Sequence, residues 1–297
     1  MLSKLAIVVF GVLAFVGEGL AGPPGGPGTQ GEPGTTVFLA SDIEWKPLNP
    51  ARGDKGPQAG TLWGDQTADG ASGFLVKFVD GFTSPPHIHN ITYRGVVLGG
   101  LLHNDDPDAR PMWMPAGSYW MQPAGEVHIT ASRGTSVAFV EIQEGPYLVL
   151  PSDQATDNGE RAVNLDASNL VWLDASATRW VEQPDGAAPS EGPQIAFLWG
   201  DPIAGQLNGS LVKLPAGFSG ELSGGGPALR TIVIEGELDY QADNDSARQT
   251  LGPGSRLVSA AGASQRVSNR TQAECLLYAR TKGVLLVTTA PAASAGE

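Results

Sequence analysis

Cysteine is all but missing from this chain, with Cys275 alone among 297 residues. No intrachain disulfide can form, so a packed core rather than cross-links must hold the fold. Cys275 sits in the apolar run CLLYAR and reads as a buried, inert thiol, because a reactive one needs an electropositive, partly open setting. Positive charge is scarce as well: 18 Lys and Arg stand against 31 Asp and Glu, a net charge of −13. That balance excludes a nucleic-acid surface, which needs a basic footprint. Sustained helical periodicity is absent after the N-terminus. Histidine is scarce too, with only four in the chain.

Glycine, by contrast, is plentiful at 40 residues. Short runs such as GFLVKFV, RGVVLGGLL, TSVAFVEI, IAFLWG, GSLVKL, RTIVIEGEL and CLLYA are separated by Gly, Pro, Asn and Asp. Short strands with regular turn signals predict an all-β sandwich or barrel, with helix confined to a turn or two. At roughly 150 residues per domain, the length suits about two domains.

Residues 1–21 read as a cleaved secretory signal. Lys4 supplies the positive end, Leu5 to Val16 the apolar core, and Gly19-Leu20-Ala21 the small residues before the cut. Twelve apolar residues are short for a bilayer span, which needs about 20. The expectation is therefore a secreted or periplasmic protein without a stable membrane anchor. Residues 22–36, GPPGGPGTQGEPGTT, form a Gly/Pro-rich linker that buries too little to order itself. Residues 291–297 are expected to be a disordered tail.

The chain repeats itself. Leu62-Trp63-Gly64-Asp65 recurs as Leu198-Trp199-Gly200-Asp201, an offset of 136 that carries GFLVKFVDGF onto GSLVKLPAGF and Arg94 onto Arg230. One residue of slippage then aligns Gly117-Ser118 with Gly254-Ser255, and His128 with Gln265. Two copies of one all-β domain are predicted, at 37–155 and 156–290. Trp63 and Trp199, present in both, are assigned to the core.

Three of the four histidines fall in one stretch of the first copy: His87, His89 and His128. In a strand, an His-x-His pair presents both rings on one face. A third histidine returned behind a Pro-Ala-Gly turn completes a facial set of nitrogen donors. At offset 136, His87 and His89 fall on Ser223 and Gly225, so the second copy lacks all three. Residues shared by the copies are structural in this comparison, and the histidines are the residues peculiar to one. Histidines satisfied by local hydrogen bonds are the plainer alternative.

These residues resemble the two cupin motifs. Gly81, five residues, His87-Ile88-His89 and a later Gly100 follow the first motif; Gly117, Pro123-Ala124-Gly125 and His128 follow the second. More closely, HNITYRGVV, HNDDPDA and PAGSYWMQPAGEVHIT look like a group of secreted bicupins of unassigned function, akin to the cupin halves of anti-sigma factors. The resemblance covers residues 38 to about 290 and implies two tandem jelly-roll barrels and a divalent metal. It departs from the pattern at one place, since the usual glutamate ligand is missing. One count puts Tyr93 there, the other Arg94. Arg94 recurs in the second copy as Arg230, whereas Tyr93 aligns with Leu229 and shares the strand parity of His87 and His89. Tyr93 is a candidate weak ligand or hydrogen-bond donor, or a packed barrel tyrosine.

Other candidates carry less. Glu126, two residues before His128, is a candidate partner for an imidazole or a general base, set against a plain surface carboxylate at a hairpin tip. Glu141, aligned with Ala279 and flanked by Val140 and Ile142, is placed facing into the barrel. His103 opens HNDDPD, which reads as a polar turn. Trp113, Tyr119 and Trp120 are pocket-mouth or barrel-packing residues.

Cupins with three histidines and no glutamate include iron dioxygenases of diketones and small thiols. The resemblance thus implies Fe(II) first, in an oxygenase-like enzyme of a small organic substrate; imidazole equally suits Zn, Ni or Cu, and Mn is a further alternative. The alternative is a non-catalytic cupin that binds and senses a metal or small ligand. Export removes a cytoplasmic sigma factor as partner, and a homodimer stays open.

Overall fold

This computed structural model describes residues 34–184, 186–188, 191–242 and 248–290. The expected signal (1–21), residues 22–33 of the expected linker and the expected tail lie outside the described residues, while Thr35 and Thr36, expected in that linker, are strand residues paired with Ser259 and Val258. No helix among the described residues is long and apolar enough to cross a membrane.

The described residues form strands and short 3₁₀ turns, as the turn-rich pattern predicted. In chain order the strands are β1 (Thr35–Phe38), β2 (Lys46–Pro47), β3 (Gln58–Trp63), β4 (Ser72–Phe78), β5 (His87–His89), β6 (Tyr93–Asp105), β7 (Tyr119–Gln122), β8 (Ile129–Ile142), β9 (Val149–Pro151) and β10 (Val163–Leu165). The second half continues with β11 (Gln194–Gly200), β12 (Leu207–Leu214), β13 (Ser219–Gly224), β14 (Ala228–Glu235), β15 (Leu238–Gln241), β16 (Arg248–Leu251), β17 (Arg256–Ala260), β18 (Gln265–Ser268), β19 (Cys275–Lys282) and β20 (Leu285–Thr289). They build a seven-stranded sheet (β10-β7-β6-β8-β4-β3-β2), a six-stranded sheet (β1-β17-β14-β19-β12-β11), a five-stranded sheet (β16-β15-β18-β13-β20) and the pair β5-β9.

Period-2 alternation explains where each strand sends its side chains. In β4, Phe74, Val76 and Phe78 fill the interior of the first barrel, while Leu75 packs toward the second. In β8, Ala138, Val140 and Ile142 face inward and Phe139 faces the interface, 5.1 Å from Tyr278. A third cluster, with Leu222, Tyr240, Leu251 and Leu277, fills the second barrel. Two jelly-roll cores and an apolar interface between them therefore make one molecule. Cys275 lies fully buried beside this third cluster's Leu277, and burial pushes its thiol up to about 12, in keeping with an inert thiol.

The interface repeats the duplication. The Arg94 guanidinium stacks over Trp199 at 4.4 Å, and Arg230 stacks over Trp63 at 5.6 Å, so each copy lends the same residue to the other. Trp63 and Trp199 thus pack against the inter-barrel core. The leading strands are exchanged as well: β1 pairs with β17 of the second copy, and β10 pairs with β7 of the first. The sheets therefore run across the expected boundary at 155/156 in both directions.

Alternation corrects the expected aim of Glu141. Its neighbours Val140 and Ile142 face into the barrel, so Glu141 must point the other way, where it meets Tyr278 and Arg280. The register corrects its counterpart too. Glu141 lies opposite Gly73 and Arg94, and their counterparts Gly209 and Arg230 lie opposite Arg280, not Ala279. His103 is corrected likewise: β6 runs through it to Asp105, so it is a strand residue and not the start of a turn.

Candidate metal centre

β5 carries His87 and His89 on one face, with His128 set beside them by a two-way backbone bridge. The His87 N–H donates to His128 O and the His128 N–H to His87 O, both at 3.0 Å. The turn before His128 depends on Gly125. Its φ is +77°, and a Cβ there would lie 2.1 Å from Thr156 Oγ1, a conformation and a closeness that only glycine tolerates. The Gly125 N–H donates to His89 O at 2.8 Å, which ties the turn to β5.

Each imidazole has one nitrogen committed. Nδ1 of His87 lies 2.9 Å from Pro85 O, Nδ1 of His89 2.9 Å from Leu148 O, and Nδ1 of His128 3.2 Å from Glu126 O. A carbonyl only accepts, so each Nδ1 carries the proton and each Nε2 presents a lone pair. This is the second contact that orients histidine ligands in metal sites. The three candidate donor atoms lie within 4.8 Å of one another, on residues that are all buried. Burial, the largest cause, holds all three rings below the ordinary imidazole range, and His128 falls to about 3. Neutral imidazoles at neutral pH are the protonation state a metal requires. The residues present therefore fit a divalent transition metal, with His87, His89 and His128 as its holders.

Two tyrosines complete the cluster. Tyr93 Oη lies 3.2 Å from His128 Nε2 and 3.1 Å from Asn104 Oδ1. Tyr147 donates to His89 Nε2 at 3.1 Å, and its ring stacks on His89 at 4.2 Å. Burial pushes both hydroxyls above the ordinary tyrosine range, so both remain protonated donors. Tyr147 was not singled out from the sequence. It reaches the site because β9 pairs with β5, placing His89 opposite Val149. The repeat held the signal, because the register sets Tyr147 against Gly283. Arg94, the other position considered for the missing glutamate, lies at the interface over Trp199.

The same register revises the comparison of the copies. Gln265 lies opposite Leu222 as His128 lies opposite His87, so the second copy holds Leu222, Gly224 and Gln265 in place of the three histidines. Ser223 and Gly225 are each one residue out. The outcome is unchanged: the second barrel carries none of the three, and Gln265 is spent on Thr231 and Leu229 O.

The remaining candidates fall into place around this centre. Glu126 gives His128 its main-chain carbonyl, while its carboxylate lies 3.5 Å from Gln122 Nε2 and beside a separate surface pocket with Asp157 and Arg161. The partner of the imidazole is therefore the peptide oxygen. His103 is buried outside the site, with its ring 5.8 Å from Trp113, over which Arg133 stacks. Tyr119 belongs to the interface core. Trp120 lines a cavity of about 430 Å³ together with His87, His89, Tyr93, Tyr147 and Asn104. Its walls include Val76, Phe78, Phe82 and Val140.

A family described as Domain of unknown function (DUF4437) matches residues 36–288. The chain belongs to that family. No curated protein matches it. Among solved structures it is similar to a candidate dioxygenase of Nostoc punctiforme, with 15% identity, a TM-score of 0.60 and 86% of each chain covered. It is also similar to AerE of Microcystis aeruginosa, with 14% identity, a TM-score of 0.51, and 84% of this chain and 98% of that one covered. At such identities the likeness is one of fold. This DUF4437 chain is thus an all-β protein of two jelly-roll, cupin-type barrels, with a buried three-histidine cluster in the first.

Proposed function

We propose that this DUF4437 chain is an exported, metal-dependent enzyme of the oxygenase type that acts on a small organic molecule. The observation that carries the reading is the convergence of three Nε2 lone pairs at a buried cluster, beside a cavity large enough for a small ligand. The cupin resemblance points first to Fe(II); the three imidazoles themselves suit Zn, Ni and Cu equally, and Mn stays an alternative. A metal held by His87, His89 and His128 supplies Lewis acidity and, in the case of iron, one-electron chemistry.

The chain's own residues provide the rest. Phe78, Phe82, Val76 and Val140 exclude water from the wall of the cavity. Tyr93 donates its one proton to Asn104 Oδ1 and so turns a hydroxyl lone pair, an acceptor, toward the histidine cluster; Asn104 is fixed in turn by Thr130 at 2.7 Å and Gln122 at 3.0 Å. Tyr147 offers a second hydroxyl and holds the His89 ring flat beneath its own. The candidate dioxygenase named above agrees with this reading without deciding it.

One observation favours a second reading, a metal- or ligand-binding module that performs no turnover. No Asp or Glu among the described residues lines the cavity, so none of them is at hand there as a general base. The test is oxygen uptake by the iron-loaded full chain across a panel of diketones, thiols and flavonoids. Turnover abolished by His128→Ala supports the enzyme. A silent panel with stoichiometric ligand binding supports the binding module.

A further inference from the structure

Among the described residues the cavity has one charged wall residue, Arg52, besides its titratable histidines. Arg52 lies in a 3₁₀ segment, Pro50–Lys55, and its backbone N–H donates to Asn49 O at 3.0 Å. Its guanidinium lies 5.9 Å from the Phe82 ring centroid, on the apolar wall. Arg52 has no salt-bridge partner among the described residues. Arg52 is exposed, so water solvates its guanidinium, and no carboxylate among the described residues lines the cavity it faces, in a chain whose net charge is −13. Such a chain repels anions over most of its surface, so a positive cavity wall is a selective feature.

We infer that Arg52 determines substrate class: the cavity takes a small monocarboxylate, with its anionic group on Arg52, an apolar body along Phe78 and Phe82, and its other end at the histidine cluster. This rests on the proposed small-molecule reading and adds the chemistry that reading leaves open. The fork of a guanidinium matches a carboxylate with two parallel hydrogen bonds. One guanidinium, with no second Arg or Lys among the described lining residues, balances one negative charge and not two. A neutral molecule leaves that fork to water, and a dianion leaves a second charge with no cation in the described lining. Leu48, Leu148 and Val149, all exposed, line the same cavity and give the apolar body a way in from solvent.

The test uses the full chain, metal-free and zinc-loaded, in calorimetric titrations. The probes are phenylacetate, 3-phenylpropionate and the primary amides of the same acids, which match them in shape but carry no charge. The acids should bind about tenfold or more tightly than their amides, as a charge-assisted bidentate contact does. Arg52→Gln should weaken the acids alone and bring the ratio within about threefold, and Arg52→Lys should keep an intermediate ratio. Equal binding of acid and amide overturns the inference. So does binding of neither, or an acid preference that survives Arg52→Gln. Zinc stoichiometry is measured on the same samples. Wild type that holds no zinc defeats the metal reading, while the acid-to-amide ratio of the metal-free chain still decides the role of Arg52.

Discussion

Glu141 and Arg280 occupy the same register position in the two copies and meet across the interface, carboxylate to guanidinium, at 3.2 Å. Identical copies facing each other would set like against like at this position. Here the copies have diverged to opposite charges, with the Glu141 and Arg280 side chains only 1% and 8% exposed. Tyr278 donates to Glu141 at 2.7 Å and accepts from Trp199 Nε1 at 3.0 Å, while Arg280 donates to Gln143 at 2.8 Å. The pair is therefore a device of the interface and no part of the histidine site.

Removing one partner leaves a buried charge without its counterion. Glu141→Gln should cost about 3 kcal/mol or more of unfolding free energy, whereas replacing both residues by apolar ones of similar volume should come close to neutral. Urea unfolding of both variants checks this. A loss under about 1 kcal/mol for Glu141→Gln would show that the pair is solvated in the working molecule.

Acid should destabilise the metal-free protein through its histidines. The unfolded chain takes up a proton at His128 near 6.5, and the folded chain refuses it until about 3. The unfolded state thus binds more protons across that window, and stability falls as the pH drops from 6.5 towards 3. The slope is about 1.4 kcal/mol per pH unit for each histidine so depressed. Above 6.5 this contribution is fully present. Metal should displace the onset of unfolding to lower pH, because protons must then compete with the ion. Chemical denaturation at a series of pH values, with and without metal, checks both statements, and a flat profile between pH 7 and 5 would contradict them.

Much of this centre was legible in the sequence, and the reasons are local. His-x-His spacing on a strand and a Pro-Ala-Gly turn before His128 fix geometry within a few residues, so the three rings could be placed together. The repeat then separated Arg94, which belongs to the interface, from Tyr93, which faces the site. What failed was whatever depended on long-range register. A one-residue slip between the copies hid Leu222 and Gly224 behind Ser223 and Gly225, and hid Arg280 behind Ala279. Tyr147 and Arg52 lie on segments without a motif, and only the pairing of β9 with β5 and the course of the Pro50–Lys55 turn bring them to the cavity.

The tyrosines should be neighbours of the metal rather than its holders. Tyr147 donates to the Nε2 lone pair of His89, which a metal would claim, while Tyr93 spends its proton on Asn104 Oδ1 and lies 3.2 Å from His128 Nε2 without donating to it. Tyr147→Phe should therefore bind metal no more weakly than wild type. Tyr93→Phe should keep stoichiometric metal yet lose about 1–3 kcal/mol of stability, since Asn104 and its partners lose a buried hydrogen bond. Competition with a chromophoric chelator measures the affinities, and loss of metal in either variant would make that tyrosine a ligand.

Metal content tests the central claim most directly. Protein purified from its native compartment and analysed for elements should carry one transition-metal ion per chain, and His89→Ala or His128→Ala should carry none while keeping the wild-type circular dichroism. A wild-type chain that holds no transition metal, before or after loading, would contradict the account.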